Sequence, residues 1–187
     1  MKKRKQWILL FCIALTVCLA SGAMLYVRQK NNNKKWSLIY IPKTEDGTND
    51  FWTSLISGTR MAAQECGASL TILAPEREQD VERQNEFLAE AIEENPDAIL
   101  FSPSSFDASD ELLQEAKEKG IKITFIDSYT ESNIQDMTVA TDNLEAGKLL
   151  GEYARTLLNE NSRIAIVSHV KGVSTACLLY TSDAADE

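Results

Sequence analysis

The chain predicts an α/β fold built on a parallel sheet, and three observations carry that expectation. A cycle of apolar run, polar loop and amphipathic helix repeats three times before residue 121. The next apolar run, Ile121–Ser128 (IKITFIDS), has five β-branched or aromatic residues among its first six, the composition of a buried strand. That run then turns polar at Asp127 and Ser128, where a parallel sheet opens onto its ligand-binding edge. A carboxylate there either contacts a ligand or caps a turn, and ligand contact is the expectation for Asp127.

The elements follow in order. Met1–Gln6 is a basic leader, and Trp7–Val27 runs 21 residues without a charge, long enough to span a bilayer as a helix. An uncleaved anchor is expected, with a signal peptide cleaved near Ala20–Ala23 as the alternative. Gln29–Lys35 reads as a solvated linker. Trp36–Ile41 is the first strand and Pro42–Asp50 a loop. A helix then runs to about Cys66, with Leu55, Gly58, Ala62 and Cys66 facing inward and Gly67 as the stop. Gly58 within it points to close approach to the sheet. Ser69–Ala74 is the second strand. Asp80–Asn95 is a helix with Val81, Leu88, Ala91 and Ile92 inward, ended by Asn95-Pro96. Ala98–Phe101 is the third strand, and Leu112, Leu113 and Ala116 mark a helix closed by Gly120. After Ile121–Ser128 come a short strand, Thr138–Ala140, and a capping box, Asp142 to Glu145, opening a helix to about Leu158. Arg163–Val167 is a further strand. Cys177–Glu187 (CLLYTSDAADE) reads as a translated transposon-end sequencing adapter, so no function is placed on it.

Charge and composition exclude several classes. The net charge is −9, and residues 1–35 carry eight Lys/Arg and no acid, which leaves −17 on the remainder. So acidic a surface disfavours nucleic acid and suits an exported domain. The four cysteines form neither a zinc spacing nor a Cys-x-x-Cys, and the one histidine, His169, has no ligand-like companion. Neither a Gly-x-Gly-x-x-Gly nor a phosphate-cradling Gly-x-x-x-x-Gly-Lys-Ser/Thr is present. Gly147-x-x-x-Gly151 serves helix packing. With no catalytic constellation, metal set or cofactor motif, a binding function is expected rather than an enzyme.

Four loops should gather at the carboxyl edge of the sheet: Pro42–Asp50, Ala74–Gln79, Ser102–Ala108 and Asp127–Glu131. They supply Lys43, Asn49 and the pair Phe51-Trp52, then Ser102, Ser104 and Ser105, then Asp127 and Ser128. Aromatic faces pack on the C–H faces of sugar rings, while carboxylate, amide and ammonium groups take vicinal hydroxyls. That mix suits a small polyol. Phe51 and Trp52 also read as core residues of the first helix, though only one of two adjacent residues can face the sheet squarely.

The ordered segments IYIPK, NDFWTSLISGTRMAAQECG, DVERQNEFLAEAI, PDAILFSP, IKITFIDS and VATDNLEAGKLLGEYA resemble the type I periplasmic sugar-binding proteins over residues 36–176. These are the ribose-binding-like receptors of ABC transporters, related to the effector domains of LacI-type repressors. The resemblance implies two α/β lobes that close on a small ligand without chemistry. It places Asn49, Phe51 and Trp52 in the family's asparagine-plus-aromatic segment, where the aromatics sandwich the sugar ring. Asp127 falls at its ligand-binding aspartate, and Asp142 and Asn143 at a hinge or cleft rim. Lys43, in Ile-Pro-Lys, matches the rhamnose and autoinducer-2 branch. Asp50 stands where the family usually has proline. Ser128 replaces an arginine that often follows the aspartate, so ribose itself is not implied. His169–Ser174 resembles the next cleft loop.

The resemblance divides the chain into 1–35 (signal peptide or anchor plus linker), 36–142 (N-terminal ligand-binding lobe), 143–176 (the start of a truncated second lobe) and 177–187. The expected function is an extracytoplasmic solute-binding protein, an N-terminal fragment anchored by residues 7–27, that captures a sugar for an ABC transporter permease. The alternative is a membrane-anchored sugar sensor presenting its ligand state to a histidine kinase. A LacI-type regulator lacks support, because an apolar span stands where its DNA-binding helices would be.

Overall fold

The computed structural model describes residues 16, 19, 21, 22, 35–159, 162–165, 174 and 175. The chain divides into two units, Met1–Lys35 and Trp36–Glu187. In the first, Thr16, Leu19, Ser21 and Gly22 are helical and exposed. The rest of the Trp7–Val27 span lies outside the described residues, and among those described no helix is long and apolar enough to cross a membrane. Cys177–Glu187 also lies outside them.

The second unit holds one five-stranded sheet. Strands β1 (Ser37–Ile41), β2 (Ser69–Ile72), β3 (Ala98–Phe101), β4 (Lys122–Ile126) and β5 (Met137–Val139) lie in the order β2-β1-β3-β4-β5. Every neighbouring pair is parallel. Register aligns Ile39 with Ile99 and Ile123, and Ile41 with Phe101 and Phe125, so alternate residues form apolar rows on one face. These rows pack with Leu88, Ala91 and Ile92 of α2 (Val81–Glu94) and with Leu113 and Ala116 of α3 (Asp110–Glu118) as one buried core. Helix stops follow the expected chemistry. Asn95 closes α2 in the left-handed region at φ 49°, and Gly120 follows α3 at φ 81°.

Three expectations about the helices change. Helix α1 (Asp50–Glu65) turns Trp52, Ile56 and Ala63 inward, not Leu55, Gly58, Ala62 and Cys66. Both stripes repeat at helical spacing, but the first carries the larger apolar surface, and burial selects it. Gly58 is exposed, and a β-carbon there would meet nothing within 4 Å, so close approach to the sheet is not its role. In α2 the fourth buried position is Gln84 rather than Val81, a polar exception treated below.

The strand expected at Arg163–Val167 does not form over residues 162–165, and 166 and 167 lie outside the described residues. The described sheet ends at β5, and a lone strand has no ladder to satisfy its backbone. Helix α4 (Asn143–Leu157) begins where the second lobe is expected to start, capped by the Asp142 side chain accepting from the Glu145 N–H at 3.0 Å. Its Leu149, Leu150, Tyr153 and Leu157 are exposed.

Candidate functional site

The chain leaves β1 toward β2 and returns past it to β3, so the direction of winding reverses between β1 and β3. Loops on either side of such a point part and leave a crevice at the carboxyl ends of the strands. Lys43 follows β1, Ser102 and Ser104 follow β3, and Asp127 follows β4.

Lys43 and Asp127 meet directly. The Lys43 ammonium donates to Asp127 Oδ2 at 2.8 Å, with the two side chains 6% and 24% exposed. An ammonium this deep needs a counter-charge, and Asp127 supplies it. The Trp52 ring adds its negative face, with Nζ 5.7 Å from the ring centroid. The backbone aims the carboxylate. Asp127 has φ 71°, and the Ser128 N–H bonds back to the Ile126 carbonyl at 2.9 Å. That bond closes a γ-turn with Asp127 at its centre, a strained conformation that ends β4 sharply. Aspartate tolerates a left-handed φ better than most residues. The Asp127 N–H, bonded to the Val139 carbonyl at 2.9 Å, fixes the turn to β5.

The aromatic pair divides between roles. Trp52 is 3% exposed, whereas Phe51 is 52% exposed. Their rings meet edge to face at 4.9 Å, so no sugar ring fits between them. The two aromatics therefore do not hold a ring between them in this arrangement, and Phe51 is the exposed member of the pair. Asn49 caps α1, its Oδ1 accepting from the Phe51 N–H at 3.1 Å. Its Nδ2 donates to Glu78 Oε1 at 3.2 Å, and the Trp52 indole N–H donates to the same oxygen at 2.6 Å.

Beneath these residues lies a buried polar floor. The Tyr40 hydroxyl and Ser102 Oγ are 3.2 Å apart and hydrogen-bonded. Burial pushes the Tyr40 phenol up to about 12, against the Ser102 hydrogen bond and with help from the Asp127 charge, so it stays neutral. Gln84, fully buried, donates to the Pro42 and Ser102 carbonyls and accepts from the Ser104 N–H. It thereby ties the loop bearing Lys43 to the loop after β3. Ser128, nominated as a ligand contact, is buried and donates to the Pro103 carbonyl at 3.0 Å, so its hydroxyl holds loops together.

Asp142 and Asn143 stand at the start of α4, away from the Lys43–Asp127 bond in sequence but not from its loop. The Asp142 charge reaches Tyr129, whose phenol is pushed up first by burial and then by that charge. Asn143 donates to the Thr141 carbonyl at 3.2 Å. Of the loop expected at 169–174 only Ser174 is described. It is buried, and its Oγ accepts from the Tyr129 N–H at 3.0 Å, two residues past Asp127.

Residue patterns missed Glu78, Gln84 and Tyr40. Glu78 sits in the 74–79 loop expected at this edge, but nothing in that loop's composition separates it from Glu76. Gln84 did carry a signal: it lies four residues before Leu88 on the buried stripe of α2. Among the described residues no group of three or more His, Cys, Asp or Glu could hold a metal ion.

The parallel lobe thus gathers charged and aromatic side chains at its winding reversal, the place where open α/β sheets hold ligands. The chain belongs to the periplasmic binding protein domain family, which residues 40–180 match. Among curated proteins it is similar to the ribose import binding protein RbsB of Bacillus subtilis, 22% identical over 174 residues, covering 93% of this chain and 56% of that one. Among solved structures it resembles a sugar transporter from Clostridium phytofermentans, with TM-score 0.75 and 38% identity, over 80% of this chain and 55% of that one. It also resembles an ABC transporter solute-binding protein from Agrobacterium vitis with bound D-fucose, with TM-score 0.72 and 26% identity, over 79% and 52% of the two chains. The chain thus spans about half the length of the relatives it matches.

Proposed function

We propose that this chain supplies the N-terminal ligand-binding lobe of an extracytoplasmic solute-binding protein that captures a sugar for an ABC transporter. The observation that carries the reading is the Lys43–Asp127 pair at the winding reversal, a joined donor and acceptor under the Trp52 ring, which the exposed Phe51 ring meets edge to face. A sugar offers each of those groups a hydroxyl, and its C–H face packs on Phe51. Lys43, Asn49, Phe51 and Asp127 are the proposed contacts. Trp52 and Ser128 support them, and Asp142 and Asn143 mark the rim. The lobe binds and does no chemistry. Its partners are the small sugar ligand and a transporter permease, with residues 7–27 proposed as the membrane anchor.

The test is a nuclear magnetic resonance titration of the chain with D-fucose, D-arabinose and D-ribose, a method that detects the millimolar binding expected of one lobe. Shifts should concentrate at Lys43, Asn49, Phe51 and Asp127. No response there to any of the three sugars, or a response centred elsewhere, overturns the assignment.

A further inference from the structure

Two donors at the start of α1, the Asn49 amide and the Trp52 indole, converge on one carboxylate oxygen from the loop after β2. Glu78 lies between β2 and α2, half-buried, and its Oε1 accepts the Trp52 indole N–H at 2.6 Å and the Asn49 amide at 3.2 Å. The loops before α1 and after β2 are joined elsewhere as well, by the Thr44 hydroxyl donating to the Glu76 carbonyl at 2.9 Å and by the Glu45 N–H donating to the Pro75 carbonyl at 3.3 Å. Those bonds hold backbone. Glu78, by contrast, holds two of the side chains nominated for the ligand, Asn49 and Trp52.

We infer that Glu78 is the positioning residue of this site, setting the poses of Trp52 and Asn49 and, through the Trp52 ring, the seat of Lys43. A carboxylate suits the task because charge-assisted bonds are short and strong enough to share one oxygen between two donors. The consequence for Asn49 is definite. Its Oδ1 spends one lone pair on the Phe51 N–H and its Nδ2 one hydrogen on Glu78, so the amide keeps one N–H donor and one lone pair for a ligand. A flipped amide would set oxygen against oxygen at Glu78, so the carboxylate also fixes the amide's orientation. For Trp52, the anchored indole N–H sets the ring plane whose centroid lies 5.7 Å from the Lys43 ammonium. Removing Glu78 takes the acceptor from the Trp52 indole N–H and the Asn49 amide donor without touching the Lys43–Asp127 bond itself.

The role in binding rests on the sugar reading above, while the role in posing Trp52 does not. The experiment uses the full chain labelled with ¹⁵N-tryptophan, the Trp52 indole resonance being assigned by its loss in Trp52→Phe. In Glu78→Ala that proton should move upfield and exchange with solvent at least tenfold faster. Glu78→Gln, which retains an acceptor oxygen without the charge, should fall between. An unchanged shift and exchange rate in Glu78→Ala overturns the inference. If that variant does not fold, an unmoved resonance in Glu78→Gln overturns it instead. Titration with D-fucose and D-arabinose, followed at the Asp127 amide, supplies the functional arm. Glu78→Ala should raise Kd at least tenfold and Glu78→Gln should recover part of the loss, whereas wild-type affinity in Glu78→Ala refutes the positioning role. Should wild type respond to neither of these sugars nor to D-ribose, the sugar reading fails and the indole measurements alone decide the pose.

Discussion

Replacing Asp127 with asparagine isolates the charge of the Lys43–Asp127 pair, because asparagine tolerates a left-handed φ and keeps an acceptor oxygen for the ammonium. At 2.8 Å the gross attraction is about 6 kcal/mol at an effective dielectric of about 20, and desolvation offsets most of it. What decides the outcome is the group left behind. With Lys43 only 6% exposed, its ammonium cannot rehydrate, so Asp127→Asn should cost about 1.5–3 kcal/mol. Lys43→Met strands a carboxylate that is 24% exposed and reaches water, so its cost should be smaller, about 1 kcal/mol. The double variant Lys43→Met/Asp127→Asn strands no charge and should be no less stable than Asp127→Asn alone. The assay is urea unfolding followed by circular dichroism on all four proteins, with slopes compared to confirm one denatured state. The coupling should be about 1–2 kcal/mol, within the range seen for residues in contact. Additive losses would show that the two side chains do not depend on each other, and the reading of the site would fail at its centre.

Trp52→Ala should cost about 3–5 kcal/mol in the same assay, and Trp52→Phe less than half of that, because burial and not the indole N–H dominates. Equal losses would contradict this. Gln84→Leu should cost about 3 kcal/mol or more, since it leaves the Pro42 and Ser102 carbonyls and the Ser104 N–H unpaired in a buried site. A loss below about 1 kcal/mol would show that these groups find other partners. Asp136 accepts from the Ile123 N–H at 3.0 Å and pairs with Lys117 and Lys122, and these bonds, the backbone one first, hold its carboxyl well below the usual range. A depressed folded-state pKa stabilises above the unfolded value and is lost as pH falls, so Asp136→Ala should be about 2–3 kcal/mol less stable than wild type at pH 7, with the gap narrowing below about pH 4. A gap unchanged at pH 2.5 would exclude the linkage.

The fold was legible because its elements obey one-dimensional rules. Buried parallel strands need apolar runs, and α2 and α3 need apolar stripes, and both are written locally in Ala98–Phe101, Leu88–Ile92 and Leu112–Ala116. Stops at Gly67, Asn95 and Gly120 were legible for the same reason, since left-handed backbone selects the residue type. The face of α1 was not. Two stripes compete on that helix, and only the sheet it packs on decides between Ile56 and Gly58. The strand expected at 163–167 failed over its described part because an apolar run is necessary for a strand but a neighbour is required as well.

The candidate site was legible as a set of residues and not as a set of partnerships. Lys43 and Asp127 were each nominated for a ligand, 84 residues apart, and nothing in the sequence says that they hold each other. That pairing changes how such a site works. An empty crevice with a lone buried ammonium would be unstable, whereas a crevice whose donor and acceptor satisfy each other stands ready without a ligand. On the sugar reading, a hydroxyl entering between them donates to Asp127 and accepts from Lys43, exchanging one charge-assisted bond for two. Entry therefore need not leave either charge unpaired. A ligand carrying only acceptors would satisfy Lys43 while stranding Asp127, and one carrying only donors would do the reverse. Discrimination for a hydroxyl, which is both, then follows from the pair rather than from either residue alone.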